Sequence, residues 1–182
     1  MKKVCISFLI IGIIVLSGIG LWSYRTEMHK EYLRIHIRAN SNLDCDQQVK
    51  YLIKDKIVSF LTPYIAECDT KQKAENILES NLENLKKVAQ TVLLQNGFNY
   101  SVKVSIKNEK FPTRVYEGLR LDGGFYDALI VELGSAKGDN WWCVVYPPLC
   151  FTNGSQSYYY KSKILDIIND FLKKEKWYEK NF

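Results

Sequence analysis

Apolar and polar residues alternate strictly along YLRIHIRAN, residues 32–40. Successive side chains of a strand point to opposite faces, so this period of two predicts a half-buried β-strand. One predicted face holds leucine and isoleucine residues and packs on the core. The other face is expected to be exposed, and it holds Arg34, His36 and Arg38.

Three later segments also have the pattern of strands. Residues 100–107 alternate again, and β-branched and aromatic residues dominate residues 125–133 and 141–146. The turn sequence GSAKGDN lies between the last two strands, so these strands are predicted to form a hairpin. Residues 111–124 contain a proline and two adjacent glycines and are expected to form a linker.

Apolar residues at helical spacing separate these strands. The spacing predicts a long helix from Gln47 to about Pro63, a second from Asp69 or Thr70 to Gly97, and a helix at the C-terminus. The order β-α-α-β-β-β-α predicts the α+β class. We expect a mostly antiparallel sheet of about four strands, packed by two long helices and a C-terminal helix and preceded by an N-terminal apolar segment.

The N-terminus is basic at its start and then uncharged from Val4 to Ser23. At about 1.5 Å per helical residue this run spans about 30 Å, the thickness of the hydrocarbon core of a bilayer. The segment fits a cleaved signal peptide within residues 1–24 or an uncleaved membrane anchor at residues 4–23. In both cases residues 25–182 are predicted to form a single exported domain.

The charge of the exported part is nearly balanced. The chain has 25 basic and 20 acidic residues, and two of the basic residues are the lysines that precede the apolar segment. Without an arginine stripe or an aromatic–basic motif, this composition predicts no nucleic-acid partner. The glycines form no phosphate-binding loop, and no cofactor or small-molecule substrate is predicted.

Cysteine and histidine are the residue types that suggest chemistry. Cys143 with His36 as its base would make the protein a secreted cysteine hydrolase acting on peptide or cell wall. Strand alternation instead turns Cys143 toward the core, and a histidine between two arginines is typical of a surface residue. We therefore predict no catalytic residue. The cysteines also lack the short spacing of a zinc site, so no metal is predicted.

Cys143 and Cys150 leave two interpretations open. An exported domain permits disulfides, and the chain would have to reverse near PPLC to bring the two Cα atoms within about 7 Å. The alternative, which the sequence favours, is that both residues are buried free thiols, because cysteine packs as a small apolar residue.

The aromatic and proline residues around Cys143 suggest a contact surface. Trp142 and Tyr146 share one face of the last strand. Pro147 and Pro148 end that strand in a rigid corner, because proline has no backbone N–H to donate to a ladder. Tryptophan and tyrosine dominate protein–protein hot spots. The alternative is that helices cover these side chains.

Two motifs give the chain a family resemblance. The first, R-x-H-x-x-A-N-S, consists of Arg34, His36, Ala39, Asn40 and Ser41. The second, G-x-N-W-W-C-V-x-x-P-P-L-C, runs from Gly138 to Cys150. In this order, and from Leu33 to Phe151, the exported part resembles the stage II sporulation protein R family.

The resemblance implies signalling and not catalysis. Members of this family are made in the forespore and exported to the space between the forespore and mother-cell membranes. There they activate a membrane-embedded aspartic protease that processes the precursor of sigma factor E. The expected partners are therefore this protease and, through the N-terminal segment, the membrane. The candidate partner-binding residues are Arg34, His36, Arg38, Asn40, Ser41, Asn140, Trp142, Tyr146, Pro147 and Pro148.

Overall fold

The computed structural model describes residues 10–20, 31–116, 119–151 and 158–181. The chain divides into two compact units, Met1–Glu31 and Tyr32–Phe182. In the first unit, residues 10–20 are helical (α1), and the rest of the predicted signal or anchor segment lies outside the described residues. No helix in the described part of the chain is both long enough and apolar enough to cross a membrane.

The second unit confirms the predicted α+β class, with a four-stranded, mostly antiparallel sheet, helices and a C-terminal helix. A short 3-10 turn at Leu149–Phe151 precedes the last helix. The elements in chain order are β1 (Leu33–Arg38), α2 (Asp44–Ile65), α3 (Lys71–Ser80), α4 (Leu82–Gln95), β2 (Val102–Phe111), β3 (Arg114–Tyr116), β4 (Leu119–Leu121), β5 (Gly124–Leu133), β6 (Asn140–Tyr146) and α5 (Tyr158–Asn181).

The strands of the main sheet lie in the order β2-β5-β1-β6. β1 pairs in parallel with β5 and antiparallel with β6. The predicted hairpin of β5 and β6 is therefore wrong, because β1 lies between these two strands. The GSAKGDN segment instead crosses the end of β1, and the backbone N–H of Gly138 donates a hydrogen bond of 2.9 Å to the carbonyl of Ala39.

The region expected to be a linker contains a small second sheet. Residues 114–116 and 119–121 form the antiparallel pair β3–β4. The second predicted helix is also two helices, because the chain leaves helical geometry at Asn81, with φ −112° and ψ 7°. The side-chain amide of Asn81 donates to the carbonyl of Ile77 at 2.9 Å and so occupies one acceptor at the end of α3.

The helices pack on one face of the main sheet. This face carries the apolar residues of β1 and, in register with them, Cys143 of β6 and Leu129 of β5. α2 and α3 contact β1, and Lys71 at the start of α3 pairs with Asp127 of β5 at 2.6 Å. The opposite side of the sheet, which carries Arg34, His36 and Arg38, is called the arginine face below.

The C-terminal helix closes the end of the sheet where β1 begins and β6 ends. Ile164 and Ile168 of α5 are buried. The ring of Phe171 packs against Tyr32 and Tyr146, with centroid distances of 5.3 Å and 6.3 Å. These contacts make α5 part of the core of the second unit.

Candidate partner-binding site

The arginine face is buried, although the sequence predicts that it is exposed. Arg34 is 0% exposed and His36 is 1% exposed, so the expectation of a solvated polar face is wrong for both residues. The physical reason is that β1 is a central strand with a neighbour on each side, and aromatic side chains from β2 and β3 cover it. Arg38 lies at the end of β1 and keeps a quarter of its side chain exposed.

Arg34 lies in a cage of aromatic rings. The guanidinium carbon is 4.3 Å from the ring centroid of Phe111, 4.9 Å from that of Tyr126 and 5.6 Å from that of Tyr116. Its Nη2 donates a hydrogen bond of 2.6 Å to the hydroxyl of Tyr116. Its Nε and Nη1 have no hydrogen-bond partner among the described residues. Burial lowers the pKa of Arg34 from its usual value, because the cage removes water from the charged form.

His36 is the second buried polar residue of the face. Its ring stacks on Trp142 with a centroid distance of 3.6 Å and meets the edge of Phe111 at 5.9 Å. Burial, followed by the positive charge of Arg38, lowers the pKa of His36 to about 4, against a smaller opposing effect of Asn140. The imidazole is therefore neutral at pH 7. Neither ring nitrogen makes a hydrogen bond of good geometry with a described residue.

Arg38 forms the charged rim of the arginine face. Its Nη1 lies 3.0 Å from a carboxylate oxygen of Glu132 on β5, and its Nη2 pairs with Glu109 on β2. Glu109 also approaches His36, with 3.6 Å between its Oε2 and Nδ1. Arg38 thus forms ion pairs with both Glu109 and Glu132 at this rim.

Unsatisfied polar atoms concentrate on this face. Among the described residues, five buried side-chain nitrogen and oxygen atoms lack a hydrogen-bond partner, and all five belong to Arg34, His36 and Ser105. Ser105 of β2 and His36 both lie in register with Ile130 of β5, so they share the same side of the sheet. Buried polar groups are normally paired, so their concentration on one face marks it as a candidate site.

Asn40 and Ser41 belong to an internal hydrogen-bond network around a buried carboxylate. Asp46 accepts hydrogen bonds from the Asn40 amide at 2.9 Å, the Ser41 hydroxyl at 2.6 Å and the Tyr100 hydroxyl at 2.7 Å. These bonds lower the pKa of Asp46 although its burial opposes them. Buried Lys50 donates to the carbonyl of Asp139 at 3.1 Å. The ANS turn is therefore held by the domain itself.

The proline corner is buried, which corrects the expectation of an exposed aromatic and proline surface. Pro147 and Pro148 are buried, and Tyr146 is 6% exposed. The Tyr146 hydroxyl donates to the carbonyl of Asp69 at 2.7 Å. The 3-10 turn and α5 cover this corner, so its residues are not available for contact in this conformation. Trp142 is half-buried and Asn140 is exposed.

Cys143 forms a disulfide with Cys150 across this corner, with 6.3 Å between the two Cα atoms. The bridge leaves no thiol at Cys143. Cys143 is opposite Ile35 in the β1–β6 register, whereas His36 is opposite Trp142, so the two side chains point to different faces. This geometry contradicts the alternative interpretation of a cysteine nucleophile with His36 as its base.

The remaining cysteines and acidic residues form no reactive cluster in the described ranges. Burial raises the pKa of the Cys68 thiol to about 11, so this thiol stays protonated at neutral pH. Cys45 is exposed. No group of three or more His, Cys, Asp or Glu side chains suited to a metal ion occurs in the part of the chain that the structure describes.

A groove of about 330 Å³ lies between α2 and the edge strand β6, and Tyr116 of β3 forms part of its wall. Its walls include Lys54 and Asp55 of α2, Trp141 of β6, Cys150 of the 3-10 turn and Tyr116 of β3. The ammonium of Lys54 pairs with Asp55 at 2.5 Å. Tyr116 therefore lines the groove and also accepts the hydrogen bond from Arg34.

Sequence reasoning missed the residues that complete this site. Tyr116 and Phe111 fall in the region expected to be a linker, and Glu109 lies beyond the end of the second predicted strand. The apolar–polar alternation that predicts β2 breaks after Lys107, because Asn108, Glu109 and Lys110 are all polar, so it gives no signal for the last four residues of the strand. The hydrogen bond between β3 and β1 joins residues 82 positions apart and has no local signal.

Comparisons with known proteins give a consistent result. A family model described as stage II sporulation protein R matches residues 29–156. The stage II sporulation protein R of Bacillus subtilis (strain 168) is 35% identical over 123 residues, which are 68% of this chain and 55% of that protein. The chain thus aligns with about half the length of this curated relative. No solved structure matches the chain.

Proposed function

Because the chain belongs to the stage II sporulation protein R family, we propose that it is a sporulation signal that acts between two cells. The protein is exported from the forespore to the intermembrane space. There it activates a membrane-embedded aspartic protease of the mother cell by direct contact. The activated protease then processes the precursor of sigma factor E.

The family match is the observation that carries this proposal. It covers residues 29–156 and so includes every strand of the main sheet and the whole arginine face. The family takes its name from sporulation and not from an enzymatic reaction. The disulfide at Cys143 and the burial of His36 also remove the one catalytic pair that the sequence suggested.

The N-terminal sequence supports the export part of the proposal. Basic residues precede an uncharged run from Val4 to Ser23, which is the pattern of a signal peptide or a membrane anchor. A disulfide between Cys143 and Cys150 also suits an oxidising, extracytoplasmic compartment.

Reconstitution in a non-sporulating bacterium tests the function. The full chain, the membrane protease and the sigma factor E precursor are co-expressed, and precursor cleavage is followed by immunoblot. Cleavage is expected only when all three proteins are present. A matched chain that lacks residues 1–24 stays in the cytoplasm and is expected to give no cleavage. Equal cleavage without the chain, or none with all three proteins, would contradict the proposal.

A further inference from the structure

We propose that the groove lined by Tyr116 is the docking site for an acidic segment of the activated partner, and that Arg34 binds a carboxylate of this segment. The inference rests on the proposed function, because the partner is the membrane protease that the protein activates. It adds the site, the chemistry of the occupant and the residue that recognises it.

Arg34 is a buried cation that has no carboxylate partner in the part of the chain that the structure describes. It is fully buried, and its only hydrogen bond within the described residues goes to a neutral hydroxyl. A buried charge is costly unless it is paired. The guanidinium also presents donors in the fixed fork that matches a carboxylate, and Nε and Nη1 are still free to donate. Arg34 is therefore able to bind an acidic ligand that the described residues do not supply.

Tyr116 connects this cation to the groove. One side of Tyr116 lines the groove, while its hydroxyl oxygen lies 2.6 Å from Nη2 of Arg34. Tyr116 is only partly buried and comes from the short β3–β4 sheet. Rotation of this one side chain would let a carboxylate in the groove take the place of the hydroxyl as acceptor for Nη2.

The charges around the site favour an acidic occupant. The two carboxylates at the rim, Glu109 and Glu132, are both engaged by Arg38. Arg114 of β3 is close enough to Arg34 to lower its pKa further, which adds positive potential. In the groove itself, Lys54 and Asp55 neutralise each other. The positive charge of Arg34 thus has no carboxylate partner among the residues that the structure describes, and a negatively charged segment of the partner would supply one.

The first test replaces Arg34 with methionine and measures binding of the full chain to the membrane protease in lipid nanodiscs. We expect Kd to rise by about thirtyfold or more, because a buried charge pair is lost. We also expect the unfolding temperature to stay equal or increase, because an apolar side chain suits the aromatic cage. A folded Arg34→Met variant that binds and activates like the original chain would overturn the proposal.

Two charge changes on α2 test whether the groove selects an acidic segment, even if Arg34→Met does not fold. Lys54→Glu adds negative charge to the groove and is expected to weaken binding by roughly fivefold. Asp55→Lys removes the negative charge of the groove and adds a positive one, so binding is expected to become stronger. Equal weakening by both changes, or by neither, would show that the groove does not select an acidic segment.

The same measurements separate this inference from the proposed function. If the unmodified chain triggers precursor cleavage while all three variants do so equally, the activation proposal stands and the docking site is wrong. If the unmodified chain triggers no cleavage, the activation proposal itself fails. Sedimentation of the chain alone tests whether a second copy of the chain occupies the groove. Self-association that Lys54→Glu abolishes would assign the groove to a second copy, and this result would overturn the inference.

Discussion

At the scale of single residues, the turn after β1 and the loop before β6 hold each other in place. The side-chain oxygen of Asn40 accepts a hydrogen bond from the backbone N–H of Ser135 at 2.9 Å. The side-chain oxygen of Asn42 accepts one from the N–H of Asp139 at 2.6 Å. Gly138 lies against the backbone of Ser41 so closely that no side chain fits between them. Most of the polar residues in this stretch thus have a structural role that explains their type.

Gly138→Ala is expected to destabilise the domain. A Cβ atom at this position would lie closer than 3.0 Å to backbone atoms of Ser41, and backbone moves less easily than a side-chain tip. Overpacking of this kind costs about 1–3 kcal/mol of unfolding free energy, which chemical denaturation would measure. Lys137→Ala, an exposed change in the same loop, serves as the control. Equal stability of the two variants would show that the turn can shift to accept the methyl group.

The lowered pKa of His36 is expected to make the unfolding free energy of the domain depend on pH. Its pKa is about 4 in the folded domain against 6.5 in the unfolded chain, so folding favours the neutral form. The resulting stability is complete above pH 6.5 and is lost as the pH falls toward 4, by up to about 3 kcal/mol. The lowered pKa values of Asp46 and Asp127 place their own losses at more acidic pH.

Denaturation of the unmodified chain and of His36→Phe between pH 7 and pH 4.5 checks this prediction. Phenylalanine keeps a ring against Trp142 and removes the titration. The unmodified chain is expected to lose more stability over this range than the variant does. If both lose the same amount, His36 does not supply the pH dependence.

At the scale of elements, local patterns identify strands and helices but not their neighbours. The alternation in YLRIHIRAN correctly predicts β1, and the strands predicted at 125–133 and 141–146 match β5 and β6 within one residue. The strand predicted at 100–107 overlaps β2, but β2 continues to Phe111. The prediction fails at the pairing of β5 with β6. A short turn between two strands favours a hairpin. In the structure β1 lies between β5 and β6, although 85 residues separate the end of β1 at Arg38 from the start of β5 at Gly124. Because β1 is a central strand, its arginine face is buried, although the sequence predicts that this face is exposed.

The disulfide between β6 and the 3-10 turn gives a prediction at this scale. Cys143 and Cys150 are 7 residues apart, and closing a loop of this length stabilises a domain by about 2–3 kcal/mol in the chain-entropy model. Reduction is therefore expected to lower the unfolding temperature. A variant with alanine at both positions is the control, because its unfolding temperature should not respond to the reductant. Intact mass that is unchanged by reduction would show that the bridge is absent.

At the scale of the whole molecule, the fold class was predictable and the candidate site was not. Composition and periodicity suffice for an α+β domain with about four strands, because each element carries its own pattern. The arginine cage needs Arg34, Phe111, Tyr116 and Tyr126 to meet, and these come from four different strands. No local signal shows that a charged residue will be buried by residues so distant in the chain. The family motifs mark Arg34 and Trp142 without giving their surroundings.

The two ends of the chain are expected to differ in their importance for stability. The first unit ends at Glu31 and the second begins at Tyr32, so a chain of residues 32–182 should fold with one cooperative transition. Removal of residues 152–182 should instead destabilise the domain strongly, although the family match ends at residue 156. The reason is that α5 supplies buried Ile164 and Ile168 and covers Tyr32 and Tyr146 through Phe171.

Burial of one such aliphatic side chain contributes about 1.5–3 kcal/mol, so loss of the helix removes a large part of a typical domain stability of about 5–15 kcal/mol. Thermal unfolding followed by circular dichroism distinguishes the two truncations, and a cooperative transition of the chain that ends at residue 151 would contradict the structural role of α5.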